Sequence, residues 1–183
     1  MTRLYFASSV DGYIADADGE VGWLDAFQRD DFGFTSFLAS VDTLVMGRET
    51  YDQAREFDYW PYEGKRIIVL TSRLLEPVPD DVELATGGVG PLAALLPSLG
   101  EVWIMGGAQT MGAFLELDAV DRIDIFVMPV VLGAGVPMFG RIAQQIPLRL
   151  EEQRVYPSGA VHLAYTAGPD DTLTLTAVGE QAD

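Results

Sequence analysis

Eight short apolar runs recur along this chain, at 3–8, 42–46, 66–71, 82–86, 101–105, 121–128, 148–156 and 160–166. Several are apolar almost without interruption. A strand of that kind has to be covered on both faces, so it belongs inside a layered sheet. Helix-like runs at about 31–40, 48–56, 90–97 and 108–117 stand between several of them. Strand and helix in alternation predict an α/β fold of three layers, with a mixed, mostly parallel central sheet and helices on both faces. The last two runs have no helix between them and are joined by the turn "YPSG", so the sheet is expected to end antiparallel. No repeat or linker interrupts the 183 residues, and 1–168 is read as a single domain. The tail 169–183 alternates Thr with Leu after a Gly-Pro breaker, and is expected either to add an edge strand or to be disordered.

Charge and composition exclude several classes of partner. A net charge of −17 argues against nucleic acid and anionic membrane. No apolar run approaches the ~20 residues that span a bilayer. "MTRLYFASSVDG" reads as a first strand and not as a signal peptide. With no Cys there is no disulfide, thiolate metal site or Cys nucleophile, and a cytoplasmic location is expected. The segment "ADADGE" resembles the start of a calcium loop. Counted from Asp16, however, its twelfth position is Phe27, so no metal site is expected. The acidity is uneven. Arg48, Arg55, Lys65, Arg66 and Arg73 lie within 48–73 beside five acids, so this stretch is neutral. It is either a local relief that suits a bound anion or a solvated face with clustered charges.

Three strand ends carry phosphate-friendly chemistry. In "VWIMGGAQTMGAFL" (102–115) two glycines separate an apolar strand from a helix-like run. They are either a plain tight turn or a place where a large anion approaches bare backbone at a helix N-terminus. The motif is not G-x-G-x-x-G. "LVMGRETYD" (44–52) repeats the pattern with Arg48 and Thr50 in the helix start. "IIVLTSR" (67–73) ends a strand in two hydroxyls and an arginine, a set able to grip a phosphate monoester. Each has a bland reading as a cap or solvated end. Together they point to one anionic ligand, provided the strands are neighbours.

The chain resembles the dihydrofolate reductase-like superfamily. Its nearer likeness is to the family named for the C-terminal reductase domain of the bifunctional riboflavin-biosynthesis deaminase-reductase. The resemblance rests on "ASSVDGYIA" (7–15), "FLASVDTLVMGRETYD" (37–52), "RIIVLTSR" (66–73), the stretch 102–140 and "YPSGAVHLAY" (156–165), in family order. It implies NADPH lying across the strand ends. Gly47, Arg48 and Thr50 would then touch its phosphates. Thr71, Ser72 and Arg73 would hold the adenosine end, with Arg73 alone or together with Arg48 on the 2′-phosphate. Gly106, Gly107 and the amides of Ala108, Gln109 and Thr110 would take the pyrophosphate. The resemblance also implies a cis peptide between Gly106 and Gly107, which side chains would make harder to place beside a ligand. Ala7 and Ile14 match backbone positions near the nicotinamide. Relatives commonly pair, and the apolar segment "MPVVLGAGVPMFG" (128–140) suits a homodimer face or a buried loop equally.

On the substrate side the resemblance places Asp31 where dihydrofolate reductases keep their pterin-binding acid. Asp31, Phe34, Thr35 and Leu38 would share a helix face, so Asp31 either holds and protonates a heterocycle or caps the helix. Asp11, in "SVDG", is the rival acid or a turn residue. Trp23 either closes the pocket or packs in its loop. His162, in an alternating strand, reads as structural. Residues 9–36 contain seven acids against Arg29, which disfavours a phosphorylated substrate. The zinc deaminase half is absent, since no Cys is present. The leading expectation is an NADPH-dependent reductase of a small planar heterocycle. A dihydrofolate reductase is the alternative, weakened because "WLDAFQRDDFG" replaces that family's Pro-Trp pair. A nucleotide-binding module with little catalytic activity is the reading from another class.

Overall fold

A computed structural model describes residues 1–56, 60–73 and 79–168. The edge strand considered for the tail lies outside the described residues. In chain order the elements are β1 (Thr2–Ser9), β2 (Tyr13–Ala15), a 3-10 turn (Gly22–Phe27), α1 (Phe34–Ser40), β3 (Thr43–Gly47), α2 (Arg48–Arg55), β4 (Arg66–Leu70), β5 (Val82–Ala85) and α3 (Val89–Leu95), which runs into a second 3-10 turn (Leu96–Ser98). They continue as β6 (Val102–Gly106), α4 (Ala108–Glu116), β7 (Arg122–Met128), β8 (Val136–Pro137), β9 (Leu148–Val155) and β10 (Val161–Ala167).

Eight strands form one sheet in the order β5-β4-β3-β6-β1-β7-β10-β9. The first six run parallel, while β10 is antiparallel to both β7 and β9. The three-layer expectation therefore holds, with its antiparallel end. Continuous burial follows from the sequence: Leu44, Val45 and Met46 of β3 are fully buried although they point alternately to opposite faces. On one face α3 and α4 pack Leu92, Met111 and Phe114 over Leu4, Val45, Ile104 and Ile123. On the other, α1 and α2 pack Phe37, Tyr51 and Ala54 over Leu44, Met46 and Trp103. A third cluster, Phe126, Met128, Tyr156 and Ala160, is covered by Trp23, Leu24, Phe27 and Phe32 of the segment between β2 and α1.

Among the described residues β5 and β9 are the two edges of the sheet, and β9 carries the charged residues Arg149, Glu151, Glu152 and Arg154, a composition that discourages further pairing. Among the described residues no helix is long and apolar enough to cross a membrane.

Two departures from the sequence expectation concern the site. The helix expected from 31 begins at Phe34, because Phe32 (φ 54°) and Gly33 (φ 84°) adopt the left-handed conformation that ends helical propagation. The short strands β2 and β8, which pair antiparallel, and the first 3-10 turn have no counterpart in the sequence reading. Elements of two or three residues carry no periodic signal.

Candidate active site

Strands β4, β3 and β6 are consecutive in the sheet, so the three phosphate-friendly ends do lie side by side. From β3 the chain leaves through α2 toward β4, and from β6 through α4 toward β7, on the other side. The connections diverge at this point, which is where open α/β sheets form a crevice beyond their carboxyl ends. Gly47 is the N-cap of α2 and Gly107 the N-cap of α4. Two adjacent helices therefore begin side by side at the carboxyl ends of β3 and β6, with their positive dipole ends at that edge of the sheet. The peptide between Gly106 and Gly107 is cis, as the resemblance implied.

The two glycine strand ends are packed closely against the facing helix starts. A Cβ added to Gly47 would lie 2.8 Å from Thr110 Oγ1, and one added to Gly107 would lie 3.4 Å from Thr50 Oγ1. Each helix thus sets its threonine over the glycine of the other strand. The spacing Gly-x-x-Thr, present at both 47–50 and 107–110, is a sequence signal for this reciprocal packing. Ala108 is buried and its carbonyl accepts the amide of Gly140 at 2.9 Å, while Gln109 is exposed. Arg48 starts α2, where its Nε donates to both carboxylate oxygens of Asp52 at 2.8 Å.

At the end of β4 the residue roles divide. Thr71 is buried, and its hydroxyl accepts the amide of Arg73 and donates to the Arg73 carbonyl, both at 3.0 Å. It is a turn-forming residue that presents Ser72 and Arg73, which are exposed. A phosphate contact from Thr71 itself would cost it this local bonding.

A cavity of about 420 Å³ opens against β1 and β7. Its walls are Tyr5, Phe6, Ala7, Leu24, Phe27, Gln28, Asp30, Asp31, Phe32, Phe34, Phe126 and Met128. Six aromatic rings and two carboxyl groups line it, with no Lys or Arg. Pairing of Thr2–Leu4 with Val102–Ile104 brings Phe6, a wall of the cavity, level with the end of β6 that carries the two glycines. A larger cavity, about 620 Å³, lies at the opposite edge of the sheet, and its charged walls are Asp118 and Asp121.

Asp31 is at once a wall of the cavity and a cap. Its Oδ1 accepts the Thr35 hydroxyl at 2.7 Å and the Thr35 amide at 3.2 Å, and Oδ2 lies 3.3 Å from that amide. Asp11 is engaged elsewhere, accepting the amides of Leu132 (3.1 Å) and Gly133 (2.7 Å). A bond from Ser9, with those two amides, holds its carboxyl below the usual carboxylate range. That ties the turn after β1 to the loop after β7 and leaves Asp11 outside the cavity walls. Trp23 packs with the Phe126 cluster and does not line the cavity, and Ile14 packs against the α3–α4 core.

Sequence reasoning missed Tyr5, Phe27, Phe32 and Phe126 as walls. Only the alternation in β1, which puts Tyr5 and Ala7 on one face, carried any hint. His162 is structural as read: buried, its Nε2 2.9 Å from Asp124 Oδ1, its ring stacked on Phe126 at 4.5 Å and 11°. Burial, and then the charges of Tyr156, Asp124 and Asp31, push the Tyr5 hydroxyl far above its ordinary range, so it stays a donor.

Comparison with known proteins agrees with this geometry. The sequence pattern of the RibD C-terminal domain matches residues 2–162. The uncharacterized YwjB protein of Bacillus subtilis (strain 168) is 36% identical over 168 residues, 90% of this chain and 96% of that protein. A crystal structure from Shewanella sp. PV-4, provisionally named as a riboflavin biosynthesis protein, superposes with a TM-score of 0.82 at 33% identity, covering 92% of this chain and 99% of the other. The Thermotoga maritima diaminohydroxyphosphoribosylaminopyrimidine deaminase/5-amino-6-(5-phosphoribosylamino)uracil reductase gives 0.68 at 17% identity, covering 92% and 56%. Enterococcus faecalis dihydrofolate reductase complexed with NADP(H) gives 0.63 at 18%, covering 92% and 97%. The last two share the fold alone. By its match from residue 2 to residue 162, the chain belongs to the RibD C-terminal domain family, built on a dihydrofolate reductase-like fold.

Proposed function

We propose that this protein is an NADPH-dependent reductase that delivers hydride to a small planar heterocycle bearing no phosphate. The observation that carries this reading is the adjacency of the glycine strand ends of β3 and β6 to β1, whose Tyr5, Phe6 and Ala7 line the aromatic cavity. The donor set fits a dinucleotide: bare glycine backbone and two helix N-termini for the pyrophosphate, Thr50 and Thr110 beside them, and Ser72 with Arg73 for a 2′-phosphate. The names of two proteins of the same fold, the Thermotoga 5-amino-6-(5-phosphoribosylamino)uracil reductase and the Enterococcus reductase complexed with NADP(H), support the reductase and cofactor parts of this reading, while the phosphate-free substrate rests on the acidic cavity alone.

The chemistry supplied by the bound cofactor is transfer of a hydride equivalent to an electrophilic carbon. The protein contributes the rest. Tyr5, Phe34 and Phe126 receive a flat ring and exclude water from it, and Ala7 allows close approach at the seam between crevice and cavity. Asp31, held by Thr35 as a carboxylate, accepts a bond from a ring N–H, or relays to the reduced product a proton that it first takes up from solvent. Asp30 and Asp31 repel a phosphate group, so a neutral or protonated heterocycle fits and a ribose phosphate does not.

Two expected results test this. NADPH binds at least tenfold more tightly than NADH, since losing a charge-assisted contact to the 2′-phosphate costs ~1.5–3 kcal/mol. Arg73→Ala brings the two dissociation constants together. Equal constants in the wild type remove the assignment of Arg73. NADPH binding without hydride transfer to any pterin or flavin precursor would leave a nucleotide-binding module.

The protein is further read as a homodimer. Val10, Val131, Leu150 and Val155 are exposed on β9 and on the loops that end β1 and β7, and Val131 belongs to the apolar segment 128–140. Light scattering at micromolar concentration is expected to give twice the 19.9 kDa chain mass, and a monomer mass rejects the pairing.

A further inference from the structure

The turn that carries Asp31 is held by two side chains from distant parts of the chain. Phe32 is left-handed at φ 54°, a conformation that bulky residues avoid unless their surroundings impose it. What imposes it is visible at its carbonyl oxygen, which accepts the hydroxyl of Tyr5 at 3.0 Å and that of Tyr156 at 3.3 Å. Both lone pairs of one oxygen are used. Each tyrosine is itself fixed. The Tyr5 ring stacks on Phe37 at 4.1 Å and 7°, and the Arg154 guanidinium sits 4.9 Å over the Tyr156 ring. The Phe32 ring meets Tyr156 edge-on at 4.9 Å and leans on Phe126 at 5.9 Å. Residues 31–33 are thereby pinned on the inner side by β1 and on the outer side by the β9–β10 turn. Asp31 and Phe32 both line the cavity.

We propose that Tyr5 and Tyr156 are positioning residues for hydride transfer: by sharing the Phe32 carbonyl they fix the left-handed turn that sets the Asp31 carboxylate on the cavity wall. The inference rests on the reading of that cavity as the substrate site. Neither hydroxyl is asked to move a proton. Burial raises the Tyr156 hydroxyl as it does that of Tyr5, so both remain protonated donors across the neutral range.

The test uses the full chain with Tyr5→Phe, Tyr156→Phe and both together, each alone and combined with Asp31→Asn. Single-turnover hydride transfer from saturating NADPH is measured, together with the NADPH dissociation constant. Each hydroxyl removed is expected to slow transfer by roughly 3–10-fold and the pair by roughly 10–100-fold, as for lost hydrogen bonds that hold a reacting group. NADPH affinity stays within twofold. Because the tyrosines act through Asp31, their removal in the Asp31→Asn background changes the rate by less than twofold, a non-additivity that a purely structural role does not produce. Tyrosine variants at wild-type rate, or losses that add fully to that of Asp31→Asn, overturn the positioning role while leaving the cavity assignment intact. An Asp31→Asn enzyme at wild-type rate overturns the cavity assignment itself, and the positioning role with it. Should Tyr5→Phe fail to fold, Tyr156→Phe gives the same reading from the other donor.

Discussion

Gly47→Ala is expected to weaken NADPH binding by about a hundredfold and to lower the melting temperature. The added methyl lies 2.8 Å from Thr110 Oγ1, a distance real side chains do not hold, and Thr110 is buried in the first turn of α4. Either Thr110 leaves its rotamer or the start of α4 moves away from β3. Overpacking of this kind costs about 1–3 kcal/mol. Moving the helix start also displaces the N–H groups proposed to hold the pyrophosphate, and the methyl itself stands on the ligand's path. The two contributions separate in Gly47→Ala/Thr110→Ala. Removing the Thr110 hydroxyl and methyl relieves the clash, so stability recovers toward that of Thr110→Ala alone. NADPH affinity remains low, because the methyl still covers the backbone. A Gly47→Ala protein that binds NADPH within threefold of wild type would place the cofactor somewhere other than this crevice. Recovery of both stability and affinity in the double variant would show that the crevice matters only for packing.

Much of this crevice was legible before any coordinates, and the reason is local. A strand, a glycine and a helix start are contiguous in sequence, so 44–50 and 102–110 each announced a strand end able to take an anion. The sheet order then made them neighbours. Thr71 shows the limit of the same logic. A hydroxyl at a strand end suits a phosphate, but an ST turn with Arg73 uses it at once, and sequence does not rank the two.

The cavity was far less legible, because its walls are assembled across the chain. Tyr5 and Tyr156 meet on the carbonyl of Phe32, over separations of 27 and 124 residues. Asp11 finds its amide partners 121 and 122 residues away, so nothing near "SVDG" distinguished a loop clasp from a catalytic acid. The left-handed Phe32 is hidden for a related reason. A phenylalanine before glycine does not ask for φ 54°, and tertiary contacts decide it.

Asp31→Asn is the substitution with the largest expected effect on chemistry, and the structure sharpens what it tests. Asp31 does cap α1, so its capping and catalytic roles are not alternatives but have to be separated by measurement. The Thr35 amide and hydroxyl both reach Oδ1, and an asparagine with its carbonyl oxygen in that place keeps these bonds. Stability should therefore fall by roughly 1 kcal/mol or less. NADPH affinity should change by no more than a few-fold, since the crevice residues lie on β3, β4 and β6. Hydride transfer should fall by a factor on the order of 10²–10⁴, the usual contribution of a positioned acid or base. Asp11→Asn supplies the contrast: it loosens the tie to residues 132–133 and lowers stability, with the chemical step close to wild type. Melting temperature, NADPH affinity and single-turnover rate measured on both variants decide the matter. If Asp31→Asn turns over at the wild-type rate while Asp11→Asn does not, the proton-handling carboxylate belongs to the β1–β2 turn, and the aromatic cavity loses its claim to the substrate.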